Sequence, residues 1–217
     1  MDSFDIKRER KDLYNGRIGR FDVIEVPSMR FLMADGHGDP NTSGDYATVI
    51  EALYTCSYAV RAAAKGELGR VHTVGPLEGL WYARDLEVFT ARNKDAWEWT
   101  MMIWQPDWVP ADMIVAALET VTERKPHVAV DRIRVEDFTE GTALQSLHVG
   151  PYDAEAPVIA RMHEDVIPGR GFIASGHHHE IYLSDARRTE PARLRTILRQ
   201  PVARAAEDLI RRGAPEQ

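Results

Sequence analysis

Two distant segments of this chain end on nearly the same words. Thr100-Met-Met-Ile-Trp-Gln-Pro106 is echoed by Arg195-Thr-Ile-Leu-Arg-Gln-Pro201. Each follows an aromatic stretch closing on aspartate, Leu80-Trp-Tyr-Ala-Arg-Asp85 and Glu180-Ile-Tyr-Leu-Ser-Asp185. In register, Tyr82 falls on Tyr182 and Asp85 on Asp185, while Leu80 falls on Glu180. Self-similarity at this scale implies two similar units facing each other across a pseudo-two-fold cleft. The mismatch puts a carboxylate where the sister half carries leucine, and that broken symmetry is the first lead to function.

The order of elements repeats as well. Phe21 to Val26 reads as a strand stopped by Pro27, and Met29 to Ala34 as a second that ends in the breaker-rich segment Gly36 to Gly44. A helix begins near Asp45 and stops at Gly66, followed by strands over Val71 to Ala83 and Trp97 to Gln105. Pro110 opens a helix that Lys125-Pro126 ends. The second half gives strands over Ile133 to Val135 and Thr142 to Val149. Gly150-Pro-Tyr-Asp153 takes the place of the Gly36–Pro40 loop, and a helix covers Glu155 to Val166. Strands over His177 to Ser184 and Arg195 to Gln200 and a short helix over Val202 to Arg212 finish the chain. The prediction is an α+β fold of duplicated βαββ units with pseudo-two-fold symmetry: an antiparallel sheet, helices on one face and a ligand cleft. Residues 1–20 form an N-terminal arm and 21–217 a single domain, with half-repeats over 21–106 and 131–201 and a linking helix over 110–125.

Composition narrows the function. A net charge of -7 argues against a nucleic-acid surface. Six Lys or Arg fall within the first 20 residues, but Asp5, Glu9 and Asp12 interrupt them, so the arm reads as solvated. The single cysteine, Cys56, fits a reducing compartment, and no apolar run is long enough for a membrane span or a leader. A cytoplasmic protein is expected.

Alternate strand residues share a face. That parity groups His178, Glu180 and Tyr182 and sends Ile181 and Leu183 the other way, into the core under the helices. Glu180 is then either an ordinary solvent-facing strand residue or a carboxylate among aromatic rings, where lost solvation raises its pKa. Trp97 and Trp99 share one face of their strand; with Trp104 taken as core, they lie opposite it and line the cleft. His177-His-His179 alternate faces and lack companion ligands, so no metal is assigned. The chain carries no Gly-x-Ser-x-Gly elbow, phosphate-cradling loop or dinucleotide fingerprint, and no cofactor is called for.

Asp35 to Asn41, Leu77 to Trp81, Lys94 to Ile103, Leu147 to Tyr152, His178 to Asp185 and Thr196 to Pro201 resemble the GyrI-like family of small-molecule-binding proteins. The resemblance implies a duplicated βαββ unit around a ligand cleft, shared with effector-binding domains of multidrug-sensing regulators. In those domains a buried glutamate at the position matching Glu180 meets cationic aromatic drugs. One stand-alone branch hydrolyses electrophilic cyclopropane rings in DNA-alkylating natural products, and the Trp-rich hairpin and His-His-Glu-Ile-Tyr here are similar to it. The resemblance implies Glu180 and Tyr152 as catalytic residues. Tyr82, Trp97, Trp99, Tyr182 and His178 would bind a flat aromatic small molecule, without direct nucleic-acid or membrane contact. The alternative is a non-catalytic module that sequesters or senses such compounds. The number of chains that assemble stays open.

Overall fold

Two 16-residue strands organise the chain, β1 over Asp22–His37 and β4 over Arg134–Val149. Both cross between two compact units. The first takes in residues up to Lys11 and Ser28–Thr139; the second takes in Asp12–Pro27 and the chain from Glu140. The computed structural model describes residues 3–82 and 97–205. Asp85, the 84–96 connection and the expected terminal helix beyond residue 205 lie outside them.

β1 corrects the expected stop at Pro27 by running straight through it. Its ladder with the strand over Glu98–Gln105 begins only at Arg30, so the missing proline N–H removes no bond from that ladder. β4 likewise merges the two strands expected over Ile133 to Val135 and Thr142 to Val149. The break between them is absorbed by Gly141 at φ +75°, a conformation glycine adopts without strain. The N-terminal segment is less solvated than its charges suggest. It forms two single-turn helices, α1 (Ile6–Glu9) and α2 (Lys11–Tyr14), that bury Ile6, Leu13 and Tyr14.

In the first unit β2 (Leu77–Tyr82) and β3 (Glu98–Gln105) follow the long helix α3 (Gly44–Leu68). The strands pair antiparallel in the order β1–β3–β2. Ser43 accepts the Tyr46 amide to cap α3, and Gly69 at φ +63° ends it past the expected Gly66. α4 (Ala111–Arg124) starts behind Pro110 as expected and buries Ile114, Ala117 and Val121.

In the second unit β6 (His178–Tyr182) and β7 (Arg195–Arg204) join β4 in the order β4–β7–β6. Residues 202–204, expected to be helical, extend β7 to pair with the short β5 (Phe172–Ala174). The expected helix over Glu155 to Val166 is composite. α5 (Ala156–Arg161) gives way to a π-turn over Met162–Val166, and α6 (Ile167–Gly169) follows. Val158, Ile159, Met162 and Val166 face the sheet as their spacing predicts, packing with Phe21, Leu144, Ile167, Phe172, Leu198 and Val202. Each fully buried side chain of this kind contributes about 1.5–3 kcal/mol.

Which face carries the helices differs from expectation in both units. Leu198 belongs to the helix-packed cluster and lies directly opposite Glu180, so Glu180 and Tyr182 face the helical layer and Ile181 faces away. In β3, Gln105 Nε2 donates to Ser57 of α3 at 3.2 Å and Tyr46 of α3 meets the Trp99 ring edge-on, so the helix covers the Trp99 face. Trp104, taken as core, is buried, but on the other face, where it stacks on Phe4 at 5.6 Å. The reason is physical. β3 is buried along both faces, so alternation separates its faces without revealing which one a helix covers.

The far face of the second unit explains the packed N-terminal segment. Arg199 donates to Glu140 at 2.9 Å and to the Leu13 carbonyl at 2.7 Å, while Gln145 Nε2 donates to the Asp12 and Asn15 carbonyls. His179 Nδ1 lies 3.0 Å from Glu140 Oε1. The charges of His179 and Arg199 outweigh burial and hold the Glu140 carboxyl down at about 2.

Candidate functional site

The site is built on the helix-covered face of the second unit. In β6 Tyr182 donates its hydroxyl to Glu180 Oε2 at 2.8 Å. Gly150, at φ +144°, turns the chain after β4 at a place where a Cβ would come within 3.1 Å of His148 Nε2. The turn leads into a helical turn over Tyr152–Ala154. It sets the Tyr152 ring edge-on to Tyr182, centroids 5.6 Å apart. The Glu155 amide donates to the Tyr152 carbonyl at 3.0 Å, so Glu155 enters the same face at the start of α5. Four of the residues singled out in the sequence, Tyr152, His178, Glu180 and Tyr182, therefore come together.

Electrostatics divide the roles. Burial pushes the His178 ring down to about 3, with His163 and His179 adding to the shift. His178 is therefore neutral, and its Nε2, 3.7 Å from Glu180 Oε1, makes no ion pair. Burial, then the neighbouring charge of Glu180, raises the Glu155 carboxyl far above the ordinary carboxylate range. Glu155 keeps its proton at neutral pH.

Four groups on this face are buried without a close hydrogen-bond partner, Ser146 Oγ, Glu155 Oε1, Thr196 Oγ1 and both ring nitrogens of His178, although the Thr196 hydroxyl neighbours the Glu155 carboxyl. A buried polar atom left unsatisfied costs about 1–3 kcal/mol, and such atoms are rare in folded proteins. Buried polar atoms of this kind are satisfied when a polar guest, whether water or ligand, reaches them.

The other three sequence candidates belong to the first unit. Tyr82 lies opposite Glu98, and its hydroxyl is 3.2 Å from Thr100, which donates to Asp35 at 2.6 Å. Trp97 is half-buried and edge-on to Trp81 at 5.5 Å. Trp99 is fully enclosed; it donates to the Gly38 carbonyl at 3.3 Å, and its ring fills the space a side chain on Gly36 would need. The ladder sets Tyr82 and Trp99 on opposite faces of one hairpin. Among the described residues, no group of three or more His, Cys, Asp or Glu is arranged to hold a metal ion. None of the described helices is long and apolar enough to cross a membrane.

Residues 20–203 match the model of the GyrI-like small molecule binding domain. The chain belongs to the GyrI-like family. It is similar to an uncharacterized conserved protein from Listeria innocua, at 36% identity and TM-score 0.85, over 93% of this chain and 100% of that one. A hydrolase from Listeria innocua aligns over the same shares at 34% identity and TM-score 0.81. The C-terminal domain of EcmrR shares the fold at 12% identity and TM-score 0.54, over 85% of this chain and 98% of that one. No curated protein matches the chain.

In this GyrI-like domain the sequence reading missed Glu155, Thr196, Ser146 and His163. Glu155 follows the Gly-Pro-Tyr-Asp loop closely, which was the one available signal; Thr196 and Ser146 read as ordinary strand residues. Together the two glutamates form a pair in which one holds a proton and the other accepts a hydrogen bond.

Proposed function

We propose that the chain is a hydrolase that opens electrophilic cyclopropane rings in flat aromatic xenobiotics, with Glu180 activating the attacking water. The observation that carries this reading is Glu180 itself, half-buried on the helix-covered face and oriented by the Tyr182 hydroxyl at 2.8 Å. Glu180 takes a proton from water, the oxygen adds to a ring carbon, and the cleaved carbon–carbon pair flows to the conjugated carbonyl. Tyr152, 40% exposed at the edge of the cluster, stacks the substrate and donates a hydrogen bond to that carbonyl. His178 flanks Glu180 as a neutral ring. In the first unit the half-buried Trp97 is a further candidate for stacking a flat ligand. The Listeria innocua chain called a hydrolase, aligned over its full length, supports the reaction class.

The test is incubation of purified protein with a spiro-cyclopropyl cyclohexadienone, followed by mass spectrometry. Gain of one water and appearance of the para-hydroxyethyl phenol are expected. The second reading, binding without turnover, is favoured by the family match to a small-molecule-binding domain. Saturable quenching of tryptophan fluorescence with no water addition would select it.

A further inference from the structure

We propose that Glu155 and Thr196 form the proton-donating site for the substrate oxygen: the Glu155 carboxyl protonates the carbonyl oxygen as the ring opens, while the Thr196 hydroxyl hydrogen-bonds to it. The proposal rests on the hydrolase reading of Glu180 and assigns the other half of the same reaction.

Thr196 occupies the centre of the site. It lies directly opposite Tyr182 on one side and His148 on the other, and it has no exposed surface. Glu155 is 4% exposed and sits beside it, following the turn that carries Tyr152. Glu155 makes no side-chain cap on its own helix, so capping does not explain it. Neither Glu155 Oε1 nor Thr196 Oγ1 has a partner at close range, although the two side chains are hydrogen-bonding neighbours; a substrate oxygen that reaches them accepts from both. The raised pKa of Glu155 supports the assignment, because a second ionised carboxylate beside Glu180 in a desolvated site is strongly disfavoured.

The step balances. Glu180 removes one proton from water, and the hydroxide oxygen bonds to the ring carbon. The cyclopropane carbon–carbon bond breaks, and its electron pair reaches the carbonyl oxygen through the dienone. Glu155 gives its proton to that oxygen, which leaves as a phenol. Both carboxyls have then exchanged charge, and proton return from Glu180 to Glu155 through solvent resets the pair. No oxidant, reductant or metal takes part.

The experiment compares the intact protein with Glu155→Gln, Thr196→Val and Glu180→Gln. Turnover of the spiro-cyclopropyl cyclohexadienone is followed across pH, and infrared difference spectra are taken with fluorenone, a flat unreactive ketone. Wild-type kcat should fall as pH rises into the alkaline range. Glu155→Gln should lower kcat by about 10²-fold or more and abolish that alkaline limb, and Thr196→Val should lower kcat by about tenfold. The wild type should show a protonated-carboxyl infrared band at neutral pH that Glu155→Gln removes. The bound fluorenone carbonyl stretch should shift down in the wild type and recover partly in Thr196→Val. Unchanged kcat or a retained alkaline limb in Glu155→Gln overturns the proposal. So does a wild type without the carboxyl band, which needs no folded variant. If the wild type never adds water yet shows the band and the fluorenone shift, the hydrolase reading fails while the donor site stands.

Discussion

Beneath α3 the rows that cross three strands of the first unit read Ala34–Met101–Gly79 and Leu32–Ile103–Leu77. Beneath α5 the rows of the second unit read His148–Thr196–Tyr182 and Ser146–Leu198–Glu180. The echo that aligns Gln105 with Gln200 also aligns Met101 with Thr196 and Ile103 with Leu198, so these rows occupy matching places in their ladders. The first set is apolar throughout. The second keeps one leucine and replaces the rest with groups that donate, accept or titrate. Apolar rows under a helix contribute stability through burial, whereas buried polar rows with unmatched atoms reduce it and leave room for chemistry. The two units thus differ in what they bury under their helices, one apolar side chains and the other polar groups.

The sharpest way to break that comparison is to empty the apolar side. Trp99→Ala removes a fully enclosed ring from the space over Gly36 and should destabilise the protein by roughly 3–5 kcal/mol. Urea unfolding checks this, and a loss below about 1 kcal/mol would show that Trp99 is not core.

Glu180→Gln preserves shape and removes the base on the polar side. It should lower kcat by about 10²-fold or more with little change in the unfolding midpoint or in fluorenone affinity. Undiminished turnover would move the base elsewhere.

pH separates the two faces of the second unit. Glu140 has a folded pKa depressed from 4.5 to about 2, so its contribution is fully present above 4.5 and is lost as pH falls toward 2. The shift corresponds to about 3 kcal/mol. Glu155 runs the opposite way: its folded pKa is raised, so its contribution is present below 4.5 and is lost as pH climbs toward the raised value. Unfolding midpoints from about pH 2 to about pH 8 should show the acid loss vanish in Glu140→Gln and the neutral-pH loss shrink in Glu155→Gln. Identical pH profiles for all three proteins would refute both assignments.

The smallest stability effect belongs to Thr196→Val, which makes the polar row resemble its apolar counterpart. Removing a buried hydroxyl that has no close partner, without changing shape, should leave stability within about 1 kcal/mol of wild type, or slightly above it. A large loss would mean that the hydroxyl is already satisfied.

Much of this was written in the chain. The helix spacing of Val158, Ile159, Met162 and Val166, the turn at Gly150 and the grouping of His178, Glu180 and Tyr182 on one face all follow from local periodicity, which the backbone alone enforces. The pairing of Leu80 with Glu180 was not written there. The ladders set Leu77 opposite Ile103 as Glu180 lies opposite Leu198, so Tyr182 corresponds to Gly79 rather than to Tyr82, three residues further along. Register is fixed by hydrogen bonds between strands far apart in sequence, and two similar strings can slide past one another before those bonds form. Which face the helices cover was likewise decided by tertiary packing, because β3 and β7 are buried along nearly their whole length. Glu155 became part of the site only when α5 packed over β6 and β7. A carboxyl acquires its proton from its surroundings, and those surroundings exist only in the folded chain.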